Sequence, residues 1–260
     1  MGVITSRSKE AVDISLIYDD GTSVTESGQE APVVSLHYQG WEDYSRLPTD
    51  TLDNISPEKL EEAGRTLAMT LMILGLVLFL GSHSVRIVAD DWRTKRIAAM
   101  GEGAWKAVYS IVAIVGFVLI AWGYGEARTA TTVLYTPPVW TKHLAALLTL
   151  PAFILLAASK VSGSRIKAAV GHPMVAGVKI WAFAHLISNG TLADVVLFGS
   201  FVVWAVLDYT AARRRDRAGG VTYAVGPLSR DAIAVVIGTV AWIVFAIWLH
   251  GPLIGVRPFG

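Results

Sequence analysis

Histidine is the side chain with most scope for chemistry in this sequence. The chain has no cysteine, so thiolate metal sites, iron–sulfur clusters, disulfides and covalent c-type haem attachment are all excluded. A metal or haem must then rely on His, Met or carboxylates, with imidazole the leading candidate. Six histidines are available: His37, His83, His143, His172, His185 and His250. Two of them fall in one stretch, GHPMVAGVKIWAFAHLISNG at 171–190, which also carries Lys179 and is apolar enough to cross a membrane. His172 and Lys179 are seven residues apart, about two helical turns, and share a face. His185 points nearly the opposite way, with Trp181, Ser188 and Asn189. A helix polar on two faces cannot turn either one to lipid, so this span is expected at the centre of a bundle.

The other histidines divide by depth. His83 in LGSHSVR and His143 in PPVWTKHL lie inside apolar segments, as His185 does, and there an ionisable group reads as functional. His172 reads as a helix-entry residue before Pro173, His250 as a boundary residue and His37 as solvated. Lys179 has two readings, a functional cation or a side chain snorkelling to the headgroups. Two neutral imidazoles facing each other across a helical bundle can hold a b-type haem without covalent attachment.

The elements that position these residues follow from hydropathy. The chain is 53% hydrophobic and only 17% charged, with mean hydropathy +0.50. From Leu67 onward six apolar segments fall near 67–88, 107–125, 140–159, 173–189, 192–210 and 232–250. Each is near the ~20 residues that span a ~30 Å hydrocarbon core. Only helices satisfy their backbone locally at that length, so the expected fold is an all-α integral membrane bundle of about six transmembrane helices. The first, third and fifth loops carry thirteen Lys and Arg, against three in the other loops and the C-terminal tail. That bias puts the odd-numbered loops in the cytoplasm, and RRRDR at 213–217 reads as part of this topology signal rather than a nucleic-acid site. The first 65 residues differ, with thirteen acids against five bases. They read as a disordered acidic tail, or as a mis-assigned start with translation beginning at Met69 or Met72.

Rough helix geometry puts His83 about 24 Å down from the outer boundary and His185 about 18 Å up from the inner one, levels ~12 Å apart. His143 is nearer the level of His185, and geometry leaves the choice of partner open. Thr191 and Asp194 form a capping-box pattern. Asp208 reads as a partner for a nearby Arg, and Gly75 and Gly81 as sites of close helix contact. Trp92, Trp140 and Tyr209 suit an interfacial belt. No Walker loop, dinucleotide fingerprint, Ser-His-Asp order cue or zinc motif is present.

LGSHSVRI, GEGAWKAVYSIVA, GYGEAR, LYTPPVWTKHL, GHPMVAGVKIWAFAHLISNG and DVVLFGSFVVWAVLD, in this order, resemble the NnrU family of bacterial membrane proteins. The resemblance runs from about Met69 to Arg217, leaving the acidic segment and a C-terminal transmembrane helix at 218–260 outside it. The family is related to the haem-b zeta-carotene isomerase of plants and cyanobacteria. It takes its name from gene neighbourhoods of nitrite and nitric oxide reduction. The resemblance implies a bacterial inner-membrane protein binding haem b, with His83 and His185 as ligands of the haem iron and His143 as a reserve ligand or a residue lining the site. Arg86 is a candidate partner for a haem propionate or for lipid phosphate. A hydrophobic polyene or a nitrogen oxide is the implied ligand, for an isomerase-like or an oxidoreductase activity. The isomerase carries a cysteine at the position of Ala182, so a ligand switch there is not available. HPMVAG is also similar to the RHPxYxG of membrane methyltransferases, but Gly171 and Val175 depart from that pattern. A non-haem assembly or sensor protein of denitrification is the remaining alternative.

Overall fold

The computed structural model describes residues 2–7, 12–17, 23–28, 57–130 and 132–259, in two units divided after Ile55. In the first unit β1 (Gly2–Arg7), β2 (Val12–Ile17) and β3 (Ser23–Gly28) form an antiparallel sheet in sequence order. Gly2 pairs with Ile17, and Val12 with Gly28. β2 carries the apolar–polar alternation of VDISL, a period-two pattern. His37 lies outside the described residues.

The second unit is helical. Its elements are α1 (Pro57–Val88), α2 (Asp90–Met100), α3 (Glu102–Ala130), α4 (Val139–Lys160), α5 (Arg165–Val170), α6 (Pro173–Ser188), α7 (Leu192–Ala218) and α8 (Leu228–Val244). A π-helical stretch, Phe245–Leu249, and α9 (His250–Ile254) follow. Among the described residues five helices are long and apolar enough to cross a membrane: α1, α3, α4, α7 and the α8–α9 segment, with α6 a shorter apolar sixth. Large apolar side chains such as Ile111, Phe117, Trp122, Leu147 and Val203 are exposed, as lipid-facing side chains must be. The spans begin and end beyond their apolar segments. α1 starts ten residues before Leu67, and α7 runs on to Ala218 through the arginines. Helix hydrogen bonding continues past the hydrocarbon boundary, which hydropathy alone marks.

Packing runs in pairs: α1 along α3, α4 against α6 and α8, and α6 and α1 against α7. Glycine sets three of the contacts. A Cβ on Gly75 would lie 2.6 Å from the Ile120 nitrogen, one on Gly177 2.8 Å from the Ala152 oxygen, and one on Gly238 2.5 Å from Ile154 Cα. Lipid offers little hydrophobic drive between helices, so such backbone approach is what van der Waals packing needs. Gly81 does not share this role, because a Cβ there would meet nothing within 4 Å. α6 is central as expected, burying Pro173, Ala176, Gly177, Ala182 and Ala184.

Each end of the bundle is tied by its loops. At the end bearing the odd-numbered, basic loops, Arg215 Nη1 donates to the Arg86 carbonyl at 3.3 Å, and the Gly226 N–H to Gly163 O at 2.8 Å. At the opposite end the Leu134 N–H donates to Gly190 O at 2.8 Å, and Val133 bridges Thr191.

Candidate functional site: the histidines of the helical spans

His185 sits in the last turn of α6. Its Nδ1 lies 2.8 Å from the Trp181 carbonyl, one turn back. A carbonyl can only accept, so Nδ1 carries the hydrogen, and in the neutral ring Nε2 keeps its lone pair. The ring stacks on Phe198 at 4.9 Å and contacts Trp181 at 5.1 Å. His83, near the end of α1, repeats the arrangement. Its Nδ1 lies 2.6 Å from the Phe79 carbonyl, and Phe79, Tyr109 and Trp204 surround the ring at 4.3, 5.2 and 5.9 Å. The buried Trp204 Nε1–H has no hydrogen-bond partner among the described residues.

His83 and His185 do not meet. A run of rings joins them: Phe79 to Phe201 at 5.9 Å, then Phe201 to Trp181 at 5.6 Å. His83 lies one turn from Phe79 toward the basic end, and His185 one turn from Trp181 toward the opposite end. Two imidazoles with bound Nδ1 and free Nε2, among aromatic walls, fit haem b in donor chemistry. A porphyrin held by both requires Phe79, Phe201 and Trp181 to part. His143 is exposed on α4 and has no hydrogen-bond or ring partner among the described residues. The Arg86 side chain is exposed at the basic end.

The end opposite the basic loops holds a polar group beside His185. Thr191 caps α7 in the expected capping box with Asp194. Asp194, 5% exposed, accepts from the Thr191 N–H at 2.9 Å, the Thr191 hydroxyl at 2.7 Å and the Tyr124 hydroxyl at 2.6 Å. The Tyr135 hydroxyl donates to the Leu186 and Asn189 carbonyls, and burial pushes its phenol up from the ordinary range.

At the basic end sequence reasoning missed a second cluster. His172 stands at the entry of α6 before Pro173 as expected, and its Nε2 lies 2.9 Å from Asp216 Oδ2. The same oxygen accepts from the Tyr223 hydroxyl at 2.8 Å and Arg213 Nη1 at 3.2 Å. Burial first, then the bond to Asp216, raises the Tyr223 phenol. The acid of α7 that pairs with an arginine is therefore Asp216, whereas Asp208 makes no ion pair among the described residues. One acid set among four arginines in RRRDR was the available signal. Tyr209 is not simply interfacial either: its hydroxyl donates to Val170 O at 2.8 Å, and Lys179 Nζ lies 4.7 Å from its ring centre. The lysine is thus held against an aromatic face, a cation–π contact neither sequence reading contained.

No curated protein and no solved structure matches this chain. The family model described as NnrU protein matches residues 71–258. The match therefore takes in the last span, which the sequence resemblance left outside. With most of the helical unit inside that match, the chain belongs to the NnrU family.

Proposed function

We propose that this NnrU-family protein binds haem b within its membrane bundle, with His185 as an axial ligand and a second histidine opposite. The observation that carries the reading is the state of the His185 ring. Its Nδ1–H is committed to the Trp181 carbonyl, and its Nε2 is left as a free base among aromatic side chains. That hydrogen bond fixes the tautomer and orientation a ligating imidazole needs. The stack on Phe198 stops the ring from turning away. The surrounding apolar side chains keep water from competing for the site. When bound, haem supplies an iron centre able to act as a Lewis acid on a polyene double bond or as a redox centre for a nitrogen oxide. The family relation supports both roles, in polyene isomerisation and in nitrite and nitric oxide metabolism. The protein lies in a bacterial inner membrane with its basic loops in the cytoplasm, as the Lys and Arg bias supports.

An optical spectrum of the purified full-length chain, oxidised and dithionite-reduced, tests the reading. A Soret band is expected in the wild type and its loss in His185→Ala. A chain that stays colourless after incubation with excess hemin overturns it and favours the non-haem assembly or sensor reading.

A further inference from the structure

The short helix α2 is joined to two spans with almost no slack. Ala89 alone separates it from α1, and Gly101 alone from α3, where a φ of 85° lets the chain turn. α1 and α3 pack along each other, so both ends of α2 are held at the basic end of one helix pair. Yet none of its 11 residues is buried. A helix of about 16 Å with no buried face gains little from its own protein, and helices this short are marginal alone in water. Its stabilisation calls for a further surface.

The exposed residues of α2 indicate what that surface is. Lys95, Ala99, Trp92, Arg96 and Met100 fall within one arc of about 140°, and all five are exposed. Arg93 and Ile97, on another side of the helix, are half-buried. The two cations of the arc are unspent. Asp90 is taken by Arg93 at 3.6 Å and Glu102 by Lys106 at 2.7 Å, whereas Lys95 and Arg96 make no ion pair among the described residues. Asp91 stands one turn before Lys95, at the edge of the arc, and closes no ion pair with it. The Arg96 guanidinium lies instead 5.5 Å from the centre of the Trp92 ring. Trp92 also meets Trp105, in the first turn of α3, edge-on at 5.9 Å. Indoles, apolar in body and polar at one edge, suit the level of the headgroups. Val88, the last residue of α1, is 79% exposed and apolar, so the lipid-facing part of that span runs up to the start of α2.

We propose that α2 lies in the membrane interface and binds anionic phospholipids of the leaflet at the basic end of the bundle. The lipid phosphate sits between Lys95 and Arg96, and the acyl chains lie beside Trp92 and Met100. A solvated helix gains nothing from exposing Trp92 and Met100, and a purely apolar contact leaves two cations unpaired. A surface that is apolar below and negatively charged above satisfies both sets of side chains at once. The inference is independent of the haem reading. It gives the basic end a preference among lipids, beyond the orientation that its charges set.

The chain has no native cysteine, so a fluorophore can be attached at one chosen site of the full-length protein. The test places it at Ala99→Cys, within the arc, or at Thr94→Cys, exposed on the other side of the helix. The labelled protein is reconstituted in bilayers, and quenching by brominated phosphatidylglycerol is compared with quenching by brominated phosphatidylcholine. Strong quenching is expected at Ala99→Cys and little at Thr94→Cys, with phosphatidylglycerol preferred at the former. Lys95→Gln with Arg96→Gln should lower that preference by about tenfold, whereas the charge-keeping pair Lys95→Arg and Arg96→Lys should preserve it. Arg214→Gln with Arg217→Gln, on α7, should leave it unchanged. An Ala99→Cys label quenched by neither lipid means that the arc faces water or another partner, and overturns the inference. Equal quenching by the two lipids, or a preference that survives the loss of Lys95 and Arg96, overturns it as well.

Discussion

Asp194 shows how much one side chain can do in a bundle with few polar groups. It caps α7 through Thr191 and holds the Tyr124 hydroxyl of α3. Asp194→Ala removes a cap, at about 1 kcal/mol. It also leaves a buried hydroxyl unpaired, at about 1–3 kcal/mol. The expected loss is therefore about 2–4 kcal/mol, read from unfolding in mixed detergent micelles. Tyr124→Phe should cost less, because it takes away the donor and keeps the cap. Combined with Asp194→Ala it should add little, since the two share one bond. The capping box was legible in TLAD because it is a local pattern. Tyr124 was not, because 70 residues separate it from Asp194. His172 divides the same way: Pro173 marks its place at the start of α6, and only the folded chain brings Asp216 and Tyr223 to it.

Helices were legible from their apolar runs, because 1.5 Å per residue against a fixed hydrocarbon thickness leaves little choice of length. Their contacts were legible only in part. Gly75 and Gly81 look alike in sequence, six residues apart on α1. Only Gly75 faces α3, since six residues advance a helix by about 240° beyond a full turn. Gly75→Val should force α1 and α3 apart, because the added Cβ meets the Ile120 and Gly116 backbone, which cannot yield as a flexible side chain would. Loss of monodisperse protein on size-exclusion chromatography is the expected result. Gly81→Val should leave the elution profile unchanged, as nothing lies within 4 Å of its Cβ position. The π turn before His250 belongs to this scale as well. Its cause, Pro252, is visible in the sequence, but the widening of the turn is one of several ways a helix can accommodate a proline.

At the scale of the helical unit, five long apolar helices and a shorter sixth among the described residues carry basic loops at one end and far fewer bases at the other. The absence of native cysteine makes the orientation directly measurable. Single cysteines at Ser162 and Thr222, both exposed in basic-end connections, should react with a membrane-impermeant maleimide only after the membrane is opened. A cysteine at Thr136, exposed in the loop between α3 and α4, should react in intact spheroplasts. The reverse pattern would sink the assigned orientation.

The sequence by itself determined that this is a helical membrane protein, roughly where its spans lie, and which family it resembles. Those properties follow from composition, periodicity and local motifs, each read within about one span of residues. It also singled out the imidazoles, because an ionisable side chain in an apolar run is costly enough to stand out. Which side chains surround each imidazole was decided only by the tertiary structure. Pairing depends on the rotation and crossing of helices far apart in the chain, and a single π turn redirects every side chain after it. Hence Phe79, Phe201 and Trp181 come to stand between His83 and His185.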